Sequence, residues 1–189
     1  MNKKTTCITD KQFDTIISLL YNGNDKIKPN KEMAIILTVT GNCGLRIGDC
    51  VQLTKKSFVK DGNDYRYDIH EQKTGKSRTT LIPYQIYNII MEYAKDKADN
   101  ELIFDYSIRA IQWKLQQVTS YLGYENVSTH SFRKHAGMNV YKLSGNDIEL
   151  TRRFLNHSSV STTQRYLRVD EEDINNLLKN NYSIPFKTA

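Results

Sequence analysis

Apolar positions recur at helical spacing at the start of the chain. In ITDKQFDTIISLLYNG, residues 8–23, Phe13, Ile16, Ile17 and Leu20 share one face, and Thr9 with Gln12 makes a capping-box pair. NKEMAIILTVTGN, residues 30–42, is apolar around most of its circumference and predicts a largely buried second helix, ending near Gly41 or Gly44. LRIGDCVQL is a short helical stretch. The period then changes. YRYDIH alternates, with Tyr65, Tyr67 and Ile69 on one face; DGND before it and KTGK after it are turn signals; SRTTLIP is a second extended run closed by Pro83. Residues 57–83 therefore predict a three-stranded antiparallel sheet. Helical spacing returns over 84–97, 107–121, 130–143, 147–155, 160–166 and 171–179, with Ser107, Thr129 and Asn146 as N-caps and Gly123 and Gly145 as stops. The expected fold is mainly α, with one small sheet inserted after the second or third helix, in a single domain over residues 1–189.

Composition narrows the class. The chain has 189 residues, 39% hydrophobic and 25% charged, enough for one domain with a core of its own. No apolar run approaches the length of a membrane span, and MNKKTTCITD lacks the apolar segment of a secretory signal. Cys7, Cys43 and Cys50 form no CxxC pair and read as reduced thiols of a cytoplasmic protein. The net charge is +6, and the segment from Asp170 onward holds four acids against two lysines, so residues 1–169 carry an excess of +8. A basic body with a locally acidic tail points to a polyanionic partner.

Four separated segments carry candidate chemistry. They are GLRIGD with Arg46, QKTGKSR with Lys73 at the tip of a hairpin, HSFRKH with His130 and Arg133, and LNHSSVSTTQRYL with His157 and Tyr166 nine residues apart. Each alone has an ordinary reading: a C-cap arginine, a solvated turn lysine, a chance i, i+3 pair, a histidine at a helix end, one of 12 tyrosines in a core. STHSFRKH, residues 128–135, raises a sharper question, because two imidazoles, a guanidinium and an ammonium repel one another unless an anion sits against them.

In this order the segments resemble the catalytic domain of the tyrosine recombinase (phage integrase) family. GLRIGD resembles its first arginine box, HSFRKH its His-x-x-Arg box, LNHSS with TTQRYL its late histidine and tyrosine nucleophile, and EQKTGKSRTTLIP its lysine-bearing hairpin. The resemblance runs from about Thr9 to about Leu178. Asp49 stands where the family often has glutamate, Asn156 where it has glycine, and Phe132 where it has leucine; none of these removes a reacting group. The resemblance implies a mostly helical catalytic fold. Family members usually carry an N-terminal helical DNA-binding domain. About eight residues precede the first helix here, so the expectation is either an excised catalytic fragment or a short single-domain member, like the invertases that switch fimbrial promoters.

The family reaction is attack of a tyrosine oxygen on a DNA phosphodiester, giving a 3′-phosphotyrosine and a 5′-hydroxyl. The resemblance makes Arg46, Lys73, His130, Arg133, His157 and Tyr166 catalytic. Arginine suits the anionic transition state because it is always charged and grips phosphate in a fork. On this reading a phosphate is the missing partner of STHSFRKH. Tyrosine ionisation at neutral pH lies about 4 kcal/mol uphill from its reference pKa of ~10. Nearby cations would lower that cost, and either His130 or the phosphate itself takes the proton. Lys73, on a mobile hairpin, would protonate the leaving oxygen, with Lys76 as the rival. Asp49 would orient local groups. Lys76, Arg78, Lys134 and Arg165 are expected to contact DNA. No step calls for a metal or other cofactor, and the cysteines lack zinc spacing.

The expected partners are double-stranded DNA and further copies of the chain, as a dimer or tetramer on DNA, with no membrane and no small-molecule cofactor. Other readings are a type IB topoisomerase-like relaxase, a non-catalytic DNA-binding relative, and an RNA-binding or structural basic protein. The complete residue set argues against the last two. DEEDINNLLKNNYSIPF, from Asp170, predicts a helix with an apolar stripe of Ile174, Leu177 and Leu178. The family resemblance makes residues 170–189 a tail that is exchanged between subunits on DNA; the alternative, favoured for a lone domain off DNA, is docking in cis or partial disorder.

Overall fold

In the computed structural model, which describes residues 5–167 and 179, the elements follow the order the sequence predicts. Helix α1 spans Asp10–Asn22, and its capping box is formed as expected: Gln12 N–H reaches Thr9 Oγ1 at 3.2 Å and Thr9 N–H reaches Gln12 Oε1 at 2.9 Å. Helix α2, Lys31–Cys43, is the centre of the core, burying Met33, Ala34, Ile36, Leu37 and Val39. It ends at Gly44, whose φ of 61° lies in the left-handed region that a Cβ disfavours. Gly41 lies inside α2, where a Cβ would fall on the Phe13 ring, so glycine lets α1 approach closely. A short helix α3, Ile47–Cys50, follows.

The sheet has order β1-β2-β3, with β1 at Phe58–Asp61, β2 at Asp64–His70 and β3 at Ser77–Ile82, all antiparallel. Tyr67 lies opposite Phe58 and Thr80, is fully buried, and donates its hydroxyl to Cys43 O at 3.2 Å. One side chain thus seats the sheet on the C-terminus of α2. Helix α4, Tyr84–Tyr93, adds Ile86 and Ile90 to the core, and its Tyr87 ring stacks on Tyr65 at 3.7 Å. Then come α5 (Ile108–Tyr121), α6 (Thr129–Leu143), α7 (Ile148–Phe154) and α8 (Val160–Leu167). Helix α6 lies against α2 and buries Phe132 and Ala136, while its Gly137 leaves room for the Leu155 side chain. All three cysteines are free thiols, Cys7 exposed and the other two buried.

Several boundaries differ from expectation. The cap of α6 is Ser128 rather than Thr129, because only Ser128 has a hydroxyl at N3, on Ser131, that returns a bond to its own N–H at 3.1 Å. Asn146 does not cap α7. It continues the left-handed turn begun at Gly145, with φ of 69°, so that Asp147 can accept from Leu150 N–H at 2.9 Å. Helix α4 stops at Tyr93, short of the expected residue 97. The expected helix 171–179 lies outside the described residues. Among the described residues, no helix is long and apolar enough to cross a membrane.

Candidate active site

The site forms where three ends meet: the C-terminus of α2, the C-terminus of α7 and the turn end of the β2–β3 hairpin. Past Gly44 the backbone extends, and Arg46 caps α3. Its Nη1 lies 2.5 Å from Glu71 Oε2, at the start of the hairpin turn, and 3.9 Å from Asp49 Oδ2. Arg133, on α6, is 3% exposed. Its Nη1 donates to Gly44 O and its Nη2 to Leu155 O, both at 2.6 Å. Burial and the adjacent Arg46 guanidinium pull its pKa down to about 10. Two guanidiniums whose charges act on one another inside a fold create a strong site for an anion.

His157 follows the left-handed Asn156, φ 51°, at the end of α7. It is 7% exposed, and its Nδ1 lies 3.1 Å from Thr163 Oγ1 on α8. Burial, then Arg133 and Arg46, hold its pKa down at about 4, so the ring is neutral at neutral pH. Tyr166 packs edge-on against it, with centroids 5.1 Å apart and planes at 81°. The Tyr166 hydroxyl is buried beside Arg133 and lacks a well-formed hydrogen bond among the described residues. Burial pushes its pKa up to about 12, although Arg133 and Arg46 pull the other way. The sequence reading had cations easing tyrosine ionisation; here desolvation outweighs them.

His130, in the first turn of α6, is exposed at its rim. Partial burial and the charges of Arg133, Lys73, Lys134 and Arg46 lower its pKa, which puts Lys73 on the same side of the site. Lys73 and Lys76 are exposed in the 71–76 turn. The structure thus draws together Arg46, Arg133, His157 and Tyr166, with His130 and Lys73 alongside.

One expectation changes. Arg78 is not a surface contact: it is 4% exposed and gives its guanidinium to Gly44 O at 3.0 Å, Cys43 O at 2.8 Å and Phe154 O at 2.6 Å. It lies between the Tyr67 and Phe154 rings, 5.6 and 5.7 Å from their centroids. The alternation of β3 carries the reason, since Arg78, Thr80 and the buried Ile82 have the same parity. Lys134 reaches Thr5 O at 2.7 Å and lies 5.6 Å over the Tyr166 ring. Arg165 remains exposed on α8, its Nε 3.4 Å from Ser161 O.

STHSFRKH is likewise divided by the fold. His135 faces away from the site, stacked on Phe13 at 4.7 Å with Nε2 2.9 Å from Asp10 Oδ1. Glu71 was not singled out from the sequence. It is 1% exposed and faces Arg46 and Arg78, the latter at 3.8 Å. Its signal was parity, because Tyr65, Tyr67 and Ile69 point inward and Glu71 is the next position in phase. Among the described residues, no group of three or more His, Cys, Asp or Glu side chains is arranged to hold a metal.

A mostly helical fold with this sheet, and this grouping of arginines, histidine and tyrosine, belongs to the tyrosine recombinases: residues 7–173 match the phage integrase family, and the chain is a member of it. That is a family of enzymes that break and rejoin DNA in site-specific recombination. The chain is 34% identical over 154 residues to a probable integrase/recombinase, YoeC, of Bacillus subtilis strain 168, covering 77% of this chain and 82% of that one. It is 26% identical over 175 residues to tyrosine recombinase XerC of Caldanaerobacter subterraneus subsp. tengcongensis, covering 86% of this chain and 48% of the relative. Among solved structures, XerH recombinase bound to its difH substrate superposes with a TM-score of 0.72 at 18% identity, over 95% of this chain and 54% of that one. The catalytic domain of bacteriophage HP1 integrase gives 0.65 at 16% identity, over 94% and 96%. The chain therefore spans about half the length of XerC and XerH, and nearly all of an isolated catalytic domain.

Proposed function

We propose that this chain cuts and rejoins double-stranded DNA at specific sites, using Tyr166 as the nucleophile. The observation that carries the reading is the meeting of Arg46, Arg133 and His157 around the buried Tyr166 hydroxyl. Those residues come from four elements, 120 positions apart at the extremes. The DNA-bound neighbours support duplex DNA as the partner. Synapsis as a dimer or tetramer and a cytoplasmic location belong to the same proposal.

The scissile phosphate sits between Arg46 and Arg133. Each guanidinium spends part of its donor set on the protein and keeps the rest for non-bridging oxygens. His157 adds a third donor. The 3.1 Å contact to Thr163 is shorter than the hydroxyl's alternative, Ser159 O at 3.4 Å. The proposal places the proton of the neutral ring on Nε2, facing the phosphate, with the Thr163 hydroxyl turned to Nδ1 in the reactive state. The Tyr166 oxygen attacks phosphorus, the P–O5′ bond breaks, and the tyrosine proton passes to His130 or to a phosphate oxygen. A pKa of about 12 leaves free ionisation about 7 kcal/mol uphill at pH 7, so proton transfer accompanies attack. Lys73 gives a proton to the leaving 5′-oxygen. Religation reverses these steps and conserves the bond energy in the phosphotyrosine. Asp49 accepts from Gln72 N–H at 2.9 Å and orients the hairpin against α3.

A nicked suicide duplex tests this, since loss of a short 5′-hydroxyl strand traps the covalent complex. Wild-type protein should accumulate the adduct, and Tyr166→Phe should give none. Adduct formation by Tyr166→Phe would refute the assignment.

A further inference from the structure

Lys73 is held in a bracket. The residue before it, Gln72, gives its backbone N–H to Asp49 Oδ1 at 2.9 Å. The residue after it, Thr74, gives its hydroxyl to Glu71 Oε2 at 2.7 Å. The turn is closed on itself by Glu71 N–H to Lys76 O at 2.9 Å and Gly75 N–H to Glu71 O at 2.8 Å. The sequence alone suggested a mobile hairpin, yet both flanks of the lysine are tied.

The two carboxylates of the bracket are the two that face Arg46, at 2.5 and 3.9 Å. Asp49 belongs to α3 and reaches the hairpin; Glu71 belongs to the hairpin and reaches the arginine that precedes α3. One oxygen, Glu71 Oε2, receives both the Arg46 guanidinium and the Thr74 hydroxyl. The placement of Arg46 and the placement of the lysine turn are therefore linked through a single atom. Burial alone would push the Glu71 carboxyl up, but the Thr74 hydrogen bond and Arg46 hold it below its ordinary range, so it stays ionised. Arginine has five donors, and Glu71 engages Nη1. A backbone fixed on both sides of Lys73 leaves only the side-chain torsions to search, which shortens the path to a productive geometry.

We propose that Glu71 is a positioning residue for both ends of the reaction. It fixes the Arg46 guanidinium toward the phosphate and, through Thr74, fixes the turn that brings Lys73 to the leaving oxygen. This rests on the roles proposed above for Arg46 and Lys73. A purely structural glutamate would change how much protein folds but not the chemistry of each folded molecule.

The test is single-turnover cleavage of the nicked duplex at saturating DNA, with two leaving groups. One substrate carries the ordinary 5′-oxygen and the other a bridging 5′-sulfur, which departs as a thiolate and needs no proton. Thr74→Val severs the link from Glu71 to the turn, together with the long 3.4 Å bond from Lys76 N–H to the same hydroxyl, at an exposed position and without touching Arg46. It should slow cleavage of the oxygen substrate about tenfold with DNA affinity unchanged, and come within about twofold of wild type on the sulfur substrate. Glu71→Gln weakens both links. It should cost about 100-fold on oxygen, with only part of the loss recovered on sulfur, because Arg46 remains misplaced. Thermal melting of each variant measures the folded fraction. The proposal is overturned if Thr74→Val cleaves the oxygen substrate like wild type, if sulfur gives no relief, or if the losses merely track unfolded protein. A wild-type chain that forms no adduct on either substrate would overturn the proposed function as well. A wild-type adduct with an unimpaired Thr74→Val would overturn the positioning role alone.

Discussion

His157 is a neutral donor held in a cationic pocket, and that state makes the fold sensitive to acid. An unfolded chain protonates this imidazole near the reference value of ~6.5, while the folded chain does so only near 4. Between those values unfolding takes up a proton, so stability is complete above about 6.5 and falls as pH drops toward 4. The loss is on the order of 3 kcal/mol, and below 4 this group contributes no further slope. His157→Gln should flatten the acidic limb of a denaturant midpoint plotted against pH; an unchanged limb would place the acid sensitivity elsewhere. A phosphate between Arg46 and Arg133 would offset the charges that depress the ring. The His157 resonance should then titrate at a higher pH in the presence of DNA, which NMR of the imidazole can follow. Thr163→Val removes the partner that orients the ring. It should lower cleavage about tenfold while leaving DNA affinity near wild type, as expected for a group that acts mainly in the transition state.

At the scale of elements, periodicity located the helices and the sheet because those signals are local. Phe13, Ile16 and Leu20 recur on one face whatever α1 packs against, and Tyr65, Tyr67 and Ile69 alternate whatever the sheet covers. Arg46, Arg133, His157 and Tyr166 were legible as candidates from motif order, but their meeting depends on how three chain ends converge. Glu71 and Arg78 were not legible as partners of the site, because the Glu71–Arg46 ion pair and the three carbonyls that receive Arg78 join the hairpin to the ends of α2 and α7 across long sequence separations. Carrying the inward parity of β2 past Ile69 reaches Glu71, and carrying that of β3 back from Ile82 reaches Arg78; a charged residue at an in-phase position was the available clue. Arg78 should therefore behave as a structural cation. Arg78→Ala leaves three backbone carbonyls without their donor and should destabilise the protein by about 3–5 kcal/mol in denaturant unfolding. Arg78→Lys keeps the charge but lacks the fork, and should recover part of that loss. Neither change should alter the salt dependence of DNA binding in the fraction that folds, whereas a shallower slope would return Arg78 to the DNA face.

At the scale of the whole molecule, the distribution of charge separates a buried anion site from an exposed basic surface. Inside, Arg46, Arg78 and Arg133 face Glu71 and Asp49, an excess of one positive charge while both acids are ionised. Burial raises the Asp49 pKa, so that excess does not shrink as pH falls. Outside, Lys73, Lys76 and Arg165 are exposed, on the hairpin turn and on the helix that carries Tyr166, and residues 1–169 carry +8. The buried group suits one phosphodiester; the exposed group suits its neighbours along the backbone. Their salt signatures should differ. Each exposed cation that neutralises a phosphate contributes about 0.9 to the slope of log K against log salt, so a face making about six contacts loses roughly a thousandfold in affinity between 50 and 200 mM salt. Lys76→Ala and Arg165→Ala should each reduce that slope by about one unit and weaken binding to any duplex alike, with little change in cleavage rate at saturating DNA. Arg133→Lys should do the reverse. It keeps the charge, so the slope should hold, but a single ammonium cannot reproduce the fork, and cleavage should fall by about two orders of magnitude. Binding isotherms at four salt concentrations, paired with single-turnover cleavage, measure both quantities. A flat salt response in the wild-type chain would rule out a basic face that grips the duplex, and a slope unaffected by Lys76→Ala or Arg165→Ala would move that face away from the rim of the site.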